Sequence, residues 1–170
     1  MVMLKKYELT EQHPDTGLWR IKALRDFGNV AKGDIGGWIE GEKNLSHEGD
    51  AWVYGKAEVY GDARVSGDAE VSGDAWVYGK AEVFGDARVF GDARVSRAKH
   101  TSNVWTMTLG KHTITVDGDY LNIGCESHTI KQWLKNFRKI GEMEGYSPEE
   151  IERYGDAITM INKWLKADGS

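Results

Sequence analysis

Residues 49–96 read GDAWVY GKAEVY GDARVS GDAEVS GDAWVY GKAEVF GDARVF GDARVS without interruption. Valine recurs at every sixth position from Val53 to Val95, and an alanine stands two positions before each of these valines. A period of six fits neither an amphipathic helix nor a meander of hairpins. It fits a short strand that points valine and alanine inward, followed by a corner where glycine easily adopts the left-handed conformation. Three such edges close a triangular coil of about eighteen residues, and successive coils stack through parallel ladders.

The hexads resemble the hexapeptide-repeat family of left-handed β-helices, whose pattern is aliphatic, any, any, any, small, any. Val-Tyr-Gly-Lys-Ala-Glu at 53–58 follows it, as do the other hexads of the block. The resemblance implies a left-handed parallel β-helix, a triangular prism, and a homo-oligomer, either a trimer or a dimer of trimers. Looser hexads extend the pattern upstream: Ile35 falls in the valine phase, Ile39 and Leu45 fall in the alanine phase, and His47 occupies a valine position.

The block also contains a duplication, because residues 49–72 and 73–96 are nearly identical. The duplicated unit has 24 residues, whereas a coil takes about eighteen. Each copied residue is therefore expected one face further around the prism, so that Trp52 and Trp76 do not lie in one column.

The parts of the chain outside the hexads predict a mainly β protein with a short helical end. We expect an N-terminal β-hairpin cap in residues 1–30, with strands at 4–9 and 19–24, and the β-helix in 31–100. Further strands are expected within 101–125, at 104–109 and 113–123, and a helical hairpin in 126–170. Thr129 with Gln132 predicts the start of the first helix, and Ser147-Pro148-Glu149-Glu150 predicts the start of the second.

Composition excludes several classes of function. The formal net charge of −5 argues against binding long nucleic acid through a general positive field. The single cysteine, Cys125, cannot form an intrachain disulfide, which fits a reducing cytosol. No apolar run is long enough to span a membrane, and Met1–Tyr7 lacks the hydrophobic segment of a signal peptide. We therefore expect a cytoplasmic protein.

Two motifs at the ends of the repeat carry a second resemblance. Gly36-Gly37-Trp38-Ile39-Glu40 opens the repeat, and Ile123-Gly124-Cys125 is followed by His128-Thr129-Ile130 and Trp133. Together they resemble repeat proteins found largely in bacteriophage and prophage genomes. The resemblance implies a protein that works in the cytosol of a bacterial host.

Catalysis is not expected, and no catalytic residue, metal or cofactor is assigned. Acyltransferases of the hexapeptide family use a histidine beside a loop that protrudes from the coils, and the perfect block has neither. The candidate bases lie outside the block, at His47, His100, His112 and His128. Cys125 and His128 have a C-x-x-H spacing without a second pair of ligands nearby, which favours a buried cysteine and a helix-capping histidine over a metal site.

The outward positions are the remaining place for function. Residues eighteen apart stack, so Glu70 is expected to pair with Arg88, Arg64 with Glu82, Arg94 to lie over Trp76, and Tyr60 over Tyr78. Asp50, Asp68 and Asp86 should stack at one corner as turn residues. Aromatic faces and guanidinium groups suit a base and a phosphate, which gives these candidate ligand-binding residues: Trp52, Tyr54, Tyr60, Arg64, Trp76, Tyr78, Arg88, Arg94 and His100.

The leading functional hypothesis is a non-catalytic protein that binds a small anionic ligand, such as a cyclic nucleotide, at subunit interfaces of a homotrimer. The phage resemblance implies an anti-defence role in which the protein sequesters a nucleotide second messenger. Lys131, Lys135 and Lys139 lie on one helix face and form either an anion rim or an ordinary solvated face. Two alternatives stay open: a hexapeptide acyl- or acetyltransferase, and a structural or protein-binding scaffold.

Overall fold

A computed structural model of the chain divides into two compact units, one ending at Thr106 and the other beginning at Met107. The structure describes residues 4–97, 99–100 and 104–168, with the backbone alone at Lys99, His100 and Asp168. Among these residues, no helix is long and apolar enough to cross a membrane.

The first unit is a parallel β-helix with three faces, which confirms the predicted fold class. An N-terminal hairpin, β1 (Tyr7–Gln12) and β2 (Trp19–Ala23), leads into β3 (Ile35–Ile39) and a short 3-10 helix at Glu42–Asn44. Nine two-residue strands then follow the hexads: β4 Trp52–Val53, β5 Glu58–Val59, β6 Arg64–Val65, β7 Glu70–Val71, β8 Trp76–Val77, β9 Glu82–Val83, β10 Arg88–Val89, β11 Arg94–Val95 and β12 Lys99–His100.

Three sheets form the faces of this β-helix. Sheet 1 has the order β1-β2-β3-β5-β8-β11, sheet 2 consists of β4, β7 and β10, and sheet 3 of β6, β9 and β12. Val53 pairs with Val71, and Val71 with Val89, so residues eighteen apart stand in register. The alanine and valine of every hexad are buried to 0 or 1% exposure and form the core. The expected triangular coil is therefore confirmed residue by residue.

Glycine makes every corner of the repeat. The hexad glycines from Gly49 to Gly91 have φ between 60° and 74°, and no other residue type among those described has a positive φ. At Gly49 a β-carbon would lie 2.3 Å from the carbonyl oxygen of Gly67. The corners thus need glycine both for its backbone conformation and for the close stacking of coils. At one corner the Asp68 carboxylate accepts a hydrogen bond from the Asp50 backbone at 3.2 Å, as expected for stacked turn residues.

The residues before Gly49, where the uninterrupted hexads begin, do not follow the predicted phase of the repeat. Ile39 pairs with Val59 and Leu45 with Val65, so both occupy the valine phase and not the alanine phase. Eight residues separate Leu45 from Val53, two more than in a hexad. His47 therefore does not replace a valine but lies in a two-residue insertion at a corner. The same shift explains why Ile35, predicted in the valine phase, is 52% exposed.

The N-terminal segment caps the open end of the β-helix, as predicted for the hairpin. Inside the stack, the glycine and alanine carbonyls of each coil accept hydrogen bonds from the preceding coil, as Gly79 and Ala81 do from Asp62 and Arg64 at 2.9 Å. The first full coil is preceded only by the partial coil of β3 and Leu45, and side chains supply further donors at its corners. The Lys6 Nζ donates to the carbonyls of Gly49 and Ala51 at 3.2 and 2.8 Å.

The other two corners are capped in the same way. The Asn44 side-chain amide donates to the carbonyls of Gly61 and Ala63 at 3.1 and 2.9 Å. Arg20 donates to the carbonyl of Gly55 at 3.1 Å, and the Trp38 backbone N–H donates to that of Ala57 at 2.9 Å. Because an unpaired buried carbonyl is costly, these donors stabilise the end of the stack.

The second unit is a four-stranded antiparallel sheet with two helices. Its strands are β13 (Thr106–Leu109), β14 (His112–Asp117), β15 (Tyr120–Ile123) and β16 (Glu126–Thr129), and its helices are α1 (Ile130–Met143) and α2 (Pro148–Asp168). The predicted strand at 113–123 is in fact two strands joined by a turn at Gly118-Asp119, and β16 was not predicted. A glycine with positive φ opens each hairpin turn, at Gly110, Gly118 and Gly124.

Both predicted helix starts are confirmed. Thr129 and Gln132 form a reciprocal capping box on α1. Ser147 and Glu150 do the same on α2, with hydrogen bonds of 2.8 and 3.2 Å between each backbone and the other side chain. The indole N–H of Trp133 donates to the Leu121 carbonyl at 2.8 Å, which ties α1 to the sheet.

Replacing Val71 by aspartate should unfold the β-helix. Val71 is fully buried between two paired valines, and a carboxylate there has no compensating partner, so we expect a loss of several kcal/mol. Ser72→Asp, at the adjacent outward position, is the matched control and should unfold within about 0.5 kcal/mol of the wild type. Urea denaturation followed by circular dichroism measures both, and equal stabilities would contradict the inward assignment.

The cap predicts a specific dependence of stability on pH. Burial, together with nearby Arg25, lowers the pKa of Lys6 from 10.5 to about 8. Between these two values the unfolded chain binds a proton that the folded chain does not, so the free energy of unfolding contributed by Lys6 should rise with pH. The free energy of unfolding of the wild type minus that of Lys6→Met, measured by urea denaturation, should therefore increase from pH 8 to pH 10. A difference that stays constant or shrinks would contradict this account of the cap.

Candidate functional site

The structure distributes the predicted ligand-binding residues over three faces. Sheet 1 holds the aromatic residues Tyr60, Trp76 and Tyr78 together with Arg94. Sheet 2 holds Trp52, Tyr54 and Arg88, and sheet 3 holds Arg64. His100 lies in β12, in register with Val83, and its side chain is outside the described residues. Four of the nine candidates thus share one face, and that face is the strongest candidate site.

Trp52 is not available on the surface, which corrects its prediction as an outward ligand residue. It is 1% exposed and contacts the rings of Tyr7 and Phe27 edge to face, at 6.1 and 5.3 Å between ring centroids. It occupies the outward position of its strand, but the N-terminal segment covers that face of the first coil. Its duplicate, Trp76, is 37% exposed on sheet 1.

The expected stacking of outward residues is confirmed on sheets 1 and 2. The Arg94 guanidinium lies 4.6 Å from the centre of the Trp76 ring, and the rings of Tyr60 and Tyr78 stack at 5.4 Å. On sheet 2 the Arg88 and Glu70 side chains form an ion pair at 3.4 Å. On sheet 3 Arg64 and Glu82 stand in register as predicted.

The column on sheet 1 begins one coil earlier than the sequence suggested. Trp38 pairs with Glu58, so the column runs Trp38, Glu58, Trp76, Arg94. Arg20 lies over the Trp38 ring at 4.7 Å, and His13 contacts the same ring edge to face at 4.8 Å. Trp38 was missed because the two-residue insertion places it twenty residues before Glu58 instead of eighteen.

A groove of about 470 Å³ opens on this face. Its walls are the hairpin turn at Thr16, Gly17 and Leu18 and the outward side chains of the coils, Glu40, Glu58, Tyr60 and Trp76. The hairpin turn could not have been assigned to the groove from sequence, because its position depends on how the cap folds back on the stack. The groove therefore combines two predicted aromatic residues with elements that only the structure brings together.

The two carboxylates of the groove differ in their environment. Glu40 is already engaged, since its carboxylate accepts a hydrogen bond from the Gly61 backbone at 2.8 Å and pairs with Lys43 at 3.5 Å. The half-buried Glu58 carboxylate has no hydrogen-bond or ion-pair partner among the residues that the structure describes. Burial raises the pKa of Glu58, and nearby His13 opposes this effect. Glu58 is therefore the acceptor in the groove that a ligand can satisfy.

This geometry is suited to recognition of a planar, hydrogen-bonding ligand. Trp76 and Tyr60 offer apolar ring surfaces, and Glu58 lies beside them as an unsatisfied acceptor. Arg94 is one strand beyond Trp76, so its guanidinium lies about 10 Å from the level of Glu58, at about 4.8 Å per strand. The face thus presents an acceptor, a stacking surface and a cation in order along one line.

The candidate bases are not gathered at this groove. His47 is enclosed in the cap, where its ring stacks on Tyr7 at 4.3 Å and its Nδ1 accepts a hydrogen bond from the Lys6 backbone at 3.2 Å. Its Nε2 lies 3.8 Å from the Glu42 carboxylate, and burial lowers the pKa of His47. His112 and His128 belong to the second unit. His47 therefore serves the cap, with 16% of its side chain exposed.

The C-x-x-H segment adopts a different arrangement from the one expected. Cys125 is exposed in the turn between β15 and β16, so the prediction of a buried cysteine was wrong. His128 does not cap α1, because Thr129 is the capping residue. The His128 ring instead pairs with Glu126 at 2.7 Å and contacts Trp133. Within the described ranges, no group of three or more His, Cys, Asp or Glu side chains is arranged to hold a metal ion.

Glu58 should titrate above the usual range of glutamate. Replacing Trp76 by alanine exposes the carboxylate to water and should move its pKa back toward the ordinary value. Arg88→Ala, on sheet 2, is the matched control and should leave the Glu58 titration unchanged. Carboxyl carbon chemical shifts measured by NMR between pH 3 and pH 8 report both effects. A Glu58 pKa at or below the ordinary value would contradict the burial seen here.

Comparison with known proteins gives one partial similarity. The chain is 36% identical to the uncharacterized acetyltransferase YdcK of Escherichia coli (strain K12) over 30% of its own length, and it spans 19% of that relative's length. No protein-family model matches the sequence. The partial similarity, the six-residue repeat and the three-faced β-helix all agree with a hexapeptide-repeat protein.

Proposed function

We propose that the chain is a non-catalytic binding protein whose ligand site is the groove on sheet 1. The single observation that carries the proposal is the half-buried Glu58 carboxylate, which lacks a partner within the described residues and lies beside the ring surfaces of Trp76 and Tyr60. A ligand that donates to the half-buried Glu58 while stacking on the rings gains a hydrogen bond to a charged acceptor and the stacking contribution.

A nucleotide is the ligand class that matches this order of groups. Its base can stack on Trp76 or Tyr60 while an amino or imino N–H of the base donates to Glu58. Its phosphate can then reach Arg94, which lies over Trp76 on the side away from Glu58. The two carboxylates of the groove, Glu40 and Glu58, would repel a phosphate. The proposed orientation therefore places the base in the groove and the phosphate outside it, at Arg94.

The same proposal includes how the ligand is used. Capture without turnover fits a groove whose walls offer stacking and acceptor groups, with His47 packed on Tyr7 in the cap. A second subunit packed on sheet 1 would cover the bound ligand, as in the homotrimer implied by the hexapeptide resemblance. Together with the phage resemblance, this supports sequestration of a nucleotide second messenger as an anti-defence function.

Acyl transfer is the second candidate, and it rests on the name of the Escherichia coli relative, an uncharacterized acetyltransferase. The geometry gives it less support, since the insertion at His47 adds only two residues to a corner and does not form a protruding loop. Loss of an acetyl-coenzyme A-dependent activity in His47→Ala, with the fold retained, would favour this candidate over the binding protein.

Nucleotide binding should depend on the rings of sheet 1 and not on sheet 2. We expect Trp76→Ala or Tyr60→Ala to weaken binding about tenfold or more, because base stacking contributes about 1–3 kcal/mol per base. Arg88→Ala, which removes a comparable surface cation from sheet 2, should leave the affinity unchanged. Calorimetric titration with a panel of linear, cyclic and dinucleotide compounds measures these affinities.

The ligand itself can be identified from protein purified from infected or signal-producing bacteria. Heating should release an intact nucleotide detectable by mass spectrometry, and the Trp76→Ala protein should release much less. If no nucleotide class binds or is released, the proposed function fails; recovery of a chemically altered nucleotide would replace sequestration by an enzymatic function.

A further inference from the structure

The helical hairpin formed by α1 and α2 is basic at one end and acidic at the other. At the end where α1 begins and α2 finishes, a groove of about 1000 Å³ is lined by Lys131, Lys135 and Lys166 around the apolar side chains of Ile130, Leu134 and Leu165. One carboxylate, Asp119, also lines it, so basic residues outnumber acidic ones three to one. None of the three lysines has an ion-pair or hydrogen-bond partner within the part of the chain that the structure describes. Leu134 is 37% exposed there. We call this surface the basic groove.

The opposite end of the helical hairpin is acidic and has an exposed apolar residue. Met143, the last residue of α1, is 77% exposed and stands between Glu142 and Glu144. Neither of these two glutamates has an ion-pair partner among the described residues. Their neighbours Glu150 and Glu152 differ, because Glu150 caps α2 and Glu152 pairs with Arg138. We call residues 142–144 the acidic loop.

The charges on α1 oppose the dipole of the helix. A helix is stabilised by acidic residues in its first turn and by basic residues in its last turn. α1 has neither: Lys131 lies in its first turn, Glu142 in its last turn, and Glu144 is its C-cap. Since this placement costs stability within the isolated helix, an interaction outside the helix is needed to explain it.

We infer that the acidic loop of one copy of the chain docks into the basic groove of a second copy. Glu142 and Glu144 would face Lys131 and Lys135, and Met143 would cover the exposed Leu134 on the floor of the groove. The loop cannot reach the groove of its own chain, because twelve residues of helix, about 18 Å at 1.5 Å per residue, separate Lys131 from Met143. The contact is therefore intermolecular.

Such a contact is head to tail, since it joins two different surfaces of the same chain. Contacts of this kind close into rings or continue as filaments. A ring of three copies is compatible with the homotrimer expected for the β-helix. The inference concerns assembly alone and does not depend on which ligand the groove on sheet 1 binds.

The test is a charge exchange in the full-length protein. Lys131→Glu with Lys135→Glu places acid against the acidic loop, and Glu142→Lys with Glu144→Lys places base against the basic groove. Each pair of changes should weaken self-association at least tenfold in sedimentation velocity. All four changes together should restore association to within about threefold of the wild type, as expected when each charge pair is re-formed with reversed polarity.

Two controls separate the interface from folding. Lys56→Glu makes the same charge reversal at an exposed lysine of the first unit, and it should leave the association constant unchanged. Both double variants place charges that favour the helix dipole, so their melting temperatures should be equal to or above the wild type while their association is weaker. For the wild type, association should fall as salt is raised from 0.05 to 0.5 M.

The inference is overturned by a wild-type protein that is monomeric at 100 µM, by double variants that associate as the wild type does, or by a quadruple variant that does not regain association. Binding of an added acidic peptide to the groove in a protein that does not self-associate would assign the groove to another protein partner and would likewise overturn it. Nucleotide affinity, measured on the same variants, reports separately on the site of sheet 1.

Discussion

The first unit depends on one constraint, which is that every coil must satisfy the backbone hydrogen-bonding groups of the coil next to it. The hexad meets this need inside the stack because valine, alanine and glycine recur in register every eighteen residues. At the open end the preceding coil is incomplete, and Lys6, Arg20 and Asn44 supply the missing donors. A fully buried lysine is unusual, and here it is retained because its amine replaces two backbone N–H groups.

The same constraint determines where the candidate site lies. A 24-residue duplication laid on an eighteen-residue coil moves each copied side chain to the next face. Trp52 therefore falls beneath the cap and becomes part of the core, whereas Trp76 falls on sheet 1 beside Glu58 and remains exposed. One sequence unit thus produces a structural tryptophan and a surface tryptophan, and the difference arises from the mismatch between the two periods.

The sequence predicts the repeat well because each hexad contains its own inward residues and its own corner. The cross-strand pairs of Arg94 with Trp76 and of Tyr60 with Tyr78 follow directly from that period. The prediction fails where the period is interrupted. The insertion at His47-Glu48 shifts the upstream phase by two, which hid Trp38, and the burial of Trp52 depends on a cap whose path is not periodic.

In the second unit, the informative feature is a departure from a local rule: the charges of α1 do not follow the preference set by the helix dipole. Each start signal of its helices is satisfied by the helix itself, through the capping boxes at Thr129 and Ser147. The charges of α1 are not, since lysine begins the helix and glutamate ends it. A helix with good caps but with charges that oppose its dipole is less stable than the same helix would be with those charges reversed. The lysines and glutamates at its two ends are complementary to each other, and this charge pattern is the basis for the inferred docking of a second copy.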